Sequence, residues 1–160
     1  MGECAQPETM TYRDDLRDNL PAALEGDPRA VTRLLAAFRP IVVRYCRARL
    51  ANSDRSHADE VAQQACLEVL SALPGYPDQA RPFLALVYDI TAAAVTRTAG
   101  DRGSHPLDAL PATQRDIVIL RTLVGLSTEE TAEAVGMSPS GVRLAQHRAL
   151  QRLRGTLGTE

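Results

Sequence analysis

A chain of 160 residues with 44% hydrophobic residues, 24% charged residues and a formal net charge of −2 has room for one or two small globular domains. No apolar run approaches the roughly 18 residues that span a bilayer. The opening "MGECAQPETM" lacks a basic stretch followed by an apolar core, so no secretory signal is expected.

Gln6 stands where a myristoylation motif needs Ser or Thr. The three cysteines, Cys4, Cys46 and Cys66, are odd in number and widely spaced, with no C-x-x-C pair. That pattern argues against a disulfide framework or a zinc site. Cys46 and Cys66 fall on apolar helical faces and read as small core residues. A reducing, cytoplasmic location is expected, with no metal and no cofactor. All 18 basic residues are Arg, which points to a GC-rich genome and says nothing about fold.

Almost every periodic stretch has helical spacing. "DPRAVTRLLAAFRPIVVRYCRARL" puts Val31, Leu34, Leu35 and Phe38 on one stripe and Val42, Tyr45 and Cys46 on another. Pro40 lies between them and either kinks the helix or starts a new one. "HADEVAQQACLEVLSAL" lines up Ala58, Val61, Ala65, Val69 and Leu73. The opposite side of this helix shows Glu60, Gln63, Gln64, Leu67 and Ser71, with Asp59 at its edge. Acids in a first turn favour the helix dipole, while a leucine among glutamines suits a protein interface. "LPGYPDQARP" is a loop, and "FLALVYDITAAAVTRT" resumes a helix through Phe83, Val87, Ile90 and Ala94. "LPATQRDIVILRTLVGLS" carries Ile117, Leu120 and Val124 on one stripe and stops at Gly125.

The next stretch has the grammar of a helix-turn-helix. Ser127 and Glu130 form a capping box for a helix over Thr128–Val135. Gly136 ends that helix, Ser138 caps the next, and Pro139 sits in its first turn. On the second helix Val142, Ala145, Ala149 and Leu153 line the buried side. Ser140, Arg143, Leu144, His147, Arg148, Gln151 and Arg154 line the other, with no carboxylate. Such a helix fits the DNA major groove, its first residues at base edges and later ones at phosphates. The alternative is a solvated basic face. A local basic field, not the net charge of −2, governs contact with DNA. The expected architecture is all-α: two small helical domains, 12–99 and 107–156, joined by a Gly/Pro linker at 100–106, with residues 1–11 disordered.

Together the halves resemble an extracytoplasmic-function (ECF, group IV) sigma factor of the sigma-70 family. "HADEVAQQACLEVLSAL" resembles the family's polymerase-binding helix in region 2, and "RPFLALVYDITAAAV" its promoter −10 helix. "LPATQRDIVILRTLVGLSTEETAEAVGMSPSGVRLAQHRALQRLR" follows region 4 nearly end to end. "RPIVVRYCRARL" and "VRLAQHRALQRLR" look like the sigma-D type of actinobacteria. The resemblance implies promoter recognition and opening with core RNA polymerase, and an anti-sigma factor as a further partner. It implies that Asp59, Glu60, Gln63, Gln64 and Leu67 meet the polymerase β′ clamp helices, and that the β flap is a second contact. The Pro74–Pro82 loop and the following helix would hold the non-template strand of the −10 element through Tyr76, Arg81 and Tyr88. Tyr76 would stack on an unpaired base or pack on its own domain. Tyr88, read as lying on the outer side of its helix, would face DNA, a partner or its own domain. Ser140, Arg143, Leu144, His147, Arg148 and Gln151 would read the −35 element.

Three positions depart from the family pattern. Asp89-Ile90-Thr91-Ala92-Ala93 stands where basic and amide residues are usual, and Leu144-Ala145 where Ser-Arg is common. The seven linker residues reach at most about 25 Å, less than one DNA turn of roughly 34–36 Å. The alternative function is a helix-turn-helix regulator without a polymerase role. An enzyme is not expected. His57, His105 and His147 are scattered, and a capping role accounts for His57 beside Asp59 and Glu60.

Overall fold

The computed structural model describes residues 12–51, 55–78, 80–99 and 105–158, and among them there are helices and turns but no strand. The disordered segment expected at 1–11, with Cys4, and linker residues 100–104 lie outside the described residues.

The N-terminal half holds α1 (Tyr12–Leu24), α2 (Pro28–Arg49), α3 (Arg55–Ala72), a 3-10 turn (Leu73–Asp78) and α4 (Phe83–Ala99). The C-terminal half holds a short 3-10 turn (Pro106–Ala109), α5 (Ala112–Val118), a π-helical stretch (Ile119–Val124), α6 (Thr128–Val135) and α7 (Pro139–Leu157). Helix α2 is the hub: α1, α3, α4 and the π stretch all pack on it. Its Leu34, Phe38, Ile41, Val42, Tyr45 and Cys46 are buried on one face. Phe38 meets Phe83 of α4 edge to face, ring centroids 6.1 Å apart.

Pro40 does not start a new helix, because α2 runs unbroken from Pro28 to Arg49. Proline removes one backbone donor, and burial of Phe38, Ile41 and Val42 on either side holds the helix through it. Helix α1 is an addition to the periodic elements. Its acids and internal Pro21 interrupt the apolar pattern, and tertiary packing of Leu16 and Ala23 on α2 supplies what propensity does not.

The stripe of Ile117, Leu120 and Val124 ends where expected, at Gly125, with φ 90°. The last turn is widened. Leu120 O accepts from Gly125 N at 3.0 Å and Leu126 N at 2.9 Å, and the widened turn buries Ile119, Leu120 and Val124 together. These residues are not confined to a core of the C-terminal half. With Leu126 and Ala134 they join the N-terminal core around α2. What remains for the C-terminal half alone is small: Leu110, Val118 and Ala149 in one cluster, and Ile117, Ala132 and Val142 in another. The helical halves therefore meet along a shared apolar seam.

The helix-turn-helix is capped as its residues require. Ser127 Oγ accepts from Glu130 N at 3.0 Å while Glu130 Oε1 accepts from Ser127 N at 2.9 Å. Ser138 Oγ accepts from Gly141 N at 3.1 Å. Gly136, at φ 71°, turns the chain between the two helices. A Cβ at position 136 meets no heavy atom within 4 Å, so Gly136→Ala costs only the left-handed conformation, about 1–2 kcal/mol. Denaturant unfolding of the full chain measures this; an unshifted midpoint would show that the turn is not held in that conformation.

Candidate functional site

The outer face of α7 comes first. Ser140, Arg143, Leu144, His147, Arg148 and Gln151 are all exposed, Leu144 at 49%. Val142 and Ala149 are buried, and Ala145 and Leu153 half-buried, so the helix is phased as its spacing requires. Arg143 lies 3.7 Å from Glu129 of α6. Exposed pairs of this kind contribute little, and the arginine can exchange that partner for a phosphate or a base. Arg121, at the π stretch, supports α7 from behind. Its guanidinium donates to Leu126 O at 2.6 Å and to Gln146 Oε1 at 3.3 Å. That support went unread in the sequence, because Arg121 looks like one more solvated arginine.

The loop and α4 are less open. Tyr76 is half-buried; its hydroxyl donates to Arg81 O at 2.9 Å, and its ring stands edge-on to Phe83 at 5.4 Å. Of its two expected roles, packing is the one present in this closed chain. Arg81 is exposed and pairs with Asp89 at 2.6 Å. Tyr88 does not stand on the outer side of α4. Its hydroxyl donates to Asp116 of α5, and its ring meets Tyr45 edge to face at 6.0 Å. The physical reason is Asp116 itself, a carboxylate only 4% exposed that needs donors. Tyr45 donates to Asp116 at 3.0 Å, and Arg115 and Arg49 approach it at 3.1 and 3.5 Å. Burial, and then the charge of Asp116, push both phenols well above their ordinary range. Asp116 was missed in the sequence. One signal was available: it sits one turn before Leu120 on the apolar stripe of its helix.

The third surface lies between α2 and α3, around a groove of about 860 Å³. Arg39, Arg44 and Arg47 stand on the α2 wall; Asp59, Glu60, Gln63 and Leu67 stand on the α3 wall. Leu67 is 52% exposed. Asp59 is bidentate to Arg47 at 2.8 and 3.0 Å, which holds its carboxyl below the usual range. Gln64 is turned away from this groove, toward a second depression with His57, Glu68 and Arg97 that Glu60 also borders. The five expected partner-binding residues thus share one helix but divide between two hollows.

Residues 107–153 match the family described as Sigma-70, region 4. The chain is 43% identical to the ECF RNA polymerase sigma factor SigD of Mycobacterium tuberculosis (strain ATCC 25618 / H37Rv), an alignment covering 91% of this chain and 86% of that protein. It is 37% identical to the ECF RNA polymerase sigma factor ShbA of Streptomyces griseus, covering 82% of this chain and 90% of that one. Among solved structures it resembles CnrH in complex with the cytosolic domain of CnrY, with a TM-score of 0.73 at 24% identity over 92% of this chain and 99% of that one. At that identity the likeness is one of fold.

The tyrosine site yields a pH prediction. An exposed phenol ionises near pH about 10. Tyr45 and Tyr88 resist ionisation because they are buried and because they face Asp116, with Asp89 also acting on Tyr88 and Arg49 partly compensating at Tyr45. Their contribution to the closed chain is whole below about pH 10 and is lost as pH climbs beyond it, because the opened chain gains tyrosinate first. Tyrosinate absorbance followed together with solution scattering checks this: two phenols should ionise only as the chain expands. Ionisation of every phenol near pH 10 in a chain that stays compact would contradict it.

Proposed function

The chain belongs to the ECF RNA polymerase sigma factors, and from that membership we propose how its surfaces divide the work of promoter recognition. It binds core RNA polymerase and directs promoter-specific initiation of transcription. Residues 12–99 act as the region 2-like domain, 100–106 as the linker, and 107–156 as the region 4-like domain. No helix among the described residues is long and apolar enough to cross a membrane, and we place the chain's action with polymerase in the cytoplasm. An anti-sigma factor is a further partner that the family implies.

The observation that carries this reading is the exposed outer face of α7, without a carboxylate of its own, on a helix-turn-helix capped at every end. Arg143 and Leu144, one turn into the helix, meet base edges of the −35 element, while Ser140, His147, Arg148 and Gln151 complete the face. Arg can bridge two acceptors of guanine, and Leu packs on a thymine methyl. The α3 surface of Asp59, Glu60, Gln63, Gln64 and Leu67 takes the polymerase clamp helices. Asp59 acts there through the Arg47 pair. Tyr76, Arg81 and Tyr88 serve the −10 strand only after rearrangement, since each is engaged within the chain in the closed arrangement.

Run-off transcription with core polymerase and a panel of candidate promoters tests the whole reading. A defined transcript that depends on this chain supports it; core binding without any promoter-dependent transcript would sink it.

Two substitutions resolve the parts. Gln63→Ala with Leu67→Ala removes exposed side chains, so stability changes by only about 0.5 kcal/mol each while core binding in a pull-down weakens. A large loss of thermal stability would instead place the pair in the core. On α7, Leu144→Ala relaxes preference at one base pair and leaves salt dependence alone. Arg154→Ala weakens binding to all sequences alike and lowers the salt slope by about one. Binding to a −35 library at several salt concentrations separates them, and unchanged base preference in Leu144→Ala would show that Leu144 faces something other than DNA.

A further inference from the structure

We propose that Arg121 is a positioning residue for −35 recognition: through Gln146 it sets the rotation of α7 about its own axis, and so the base preference of Arg143, Leu144 and His147. The proposal rests on the sigma-factor reading above and adds to it a residue outside the DNA face. Small apolar contacts hold the inner side of α7. Val142 packs with Ile117 and Ala132, and Ala149 with Leu110 and Val118. Val142 and Ala149 are short side chains and fully buried. Contacts of this kind resist separation but are non-directional, so a helix seated on them rolls by several degrees at little cost. Gln146 lies between the two, one turn after Val142 and one turn before Ala149, and is half-buried. Its Oε1 accepts from Arg121 Nε at 3.3 Å. A hydrogen bond prefers an angle as well as a distance, and it supplies the direction that the apolar seats lack.

Arg121 is itself fixed at its other end. Its Nη1 donates to Leu126 O at 2.6 Å. Leu126 is 1% exposed and immediately precedes the capping box of α6. The widened turn over Ile119–Val124 delivers that carbonyl: Gly125 N and Leu126 N both donate back to Leu120 O, which brings Leu126 within reach of the guanidinium. Widened turns of this kind are frequent at functional sites. One guanidinium therefore ties the start of the helix-turn-helix to the middle of its second helix. The plane of that group fixes the angle between its two bonds.

The reading residues stand close to the tie. Arg143 is one turn before Gln146, and His147 is next to it. A binding constellation works only within roughly 0.5 Å and 10–20° of its productive geometry, so a roll that the apolar seats permit is enough to spoil contacts at base edges. The exposed Arg143–Glu129 pair, at 3.7 Å, is too weak to replace the tie.

The test compares the full wild-type chain with Gln146→Ala, Gln146→Glu and Arg121→Met, each on core polymerase, for binding to a −35 library at several salt concentrations. Gln146→Ala cuts the tie and leaves Arg121 on Leu126 O. It should flatten base preference by about fivefold or more, the low end of what one good base contact supplies. The salt slope should stay at the wild-type value, because no phosphate contact is lost. Gln146→Glu keeps an acceptor for the guanidinium, so it should keep the wild-type order of preference while its added charge lowers affinity for all sequences alike. Arg121→Met should repeat the Gln146→Ala profile, and the double variant should add nothing to it. If Arg121→Met fails to fold because Leu126 O loses its donor, the two Gln146 variants decide. Unchanged preference in Gln146→Ala overturns the proposal. So does a flattened preference that a folded Arg121→Met does not share, since Gln146 then reads DNA itself. The Arg121 Nε resonance of the nitrogen-labelled chain, followed without DNA or polymerase, should move in Gln146→Ala; an unmoved resonance also overturns the tie. A wild-type chain without any −35 preference sinks the sigma-factor reading and this role with it, whereas flat profiles confined to the variants leave that reading standing.

Discussion

The closed arrangement depends on the burial of one carboxylate. Asp116 sits at 4% exposure against helices from the other half. Its charge is tolerable there only because two phenols and two guanidinium groups converge on it. Tyr45 and Tyr88 are oriented by that demand, and their edge-to-face packing follows from it. So does the position of α5, and through the continuous run into the π stretch, the burial of Ile119, Leu120 and Val124 beside α2. The two halves are thereby joined through a cluster that belongs to neither alone.

Around this seam, three exposed arginines on the candidate surfaces hold an internal acid. Arg81 holds Asp89, Arg143 touches Glu129, and Arg47 holds Asp59. Exposed pairs of this kind are weak and screened by salt, so they cost little to exchange for phosphates or for a protein partner. The buried contacts are of another kind. At Asp116 two phenols and two guanidinium groups share one buried carboxylate, and hydrogen bonds in such a cluster reinforce one another. The molecule thus combines weakly paired surfaces with a tightly bonded junction.

Local chemistry made the helix-turn-helix legible. Ser127, Glu130, Gly136, Ser138 and Pro139 act within a dozen residues, and each cap is satisfied by a neighbour in sequence. The phase of α3 and α7 was legible for the same reason, since a 3.6-residue period needs no distant partner. Residues whose role is set at long range were not. Tyr45 and Asp116 are 71 residues apart, Tyr88 and Asp116 are 28 apart, and Arg13 and Glu130 are 117 apart. Spacing put Tyr88 on an outer face because it cannot register that another half supplies a buried carboxylate there. Pro40 was an ambiguous break because the packing that carries α2 through it is tertiary. The short linker suggested strain when both elements are bound; a closed state in which the halves touch is the arrangement such a linker permits most readily.

The most direct measurement is the distance between the halves during function. Spin labels placed on exposed positions of α3 and α7 would report it in the free chain, on core polymerase, and on polymerase with a promoter. The account predicts one short distance in the free chain and a clear lengthening in the promoter-bound complex. A transcribing complex that keeps the short distance would contradict it.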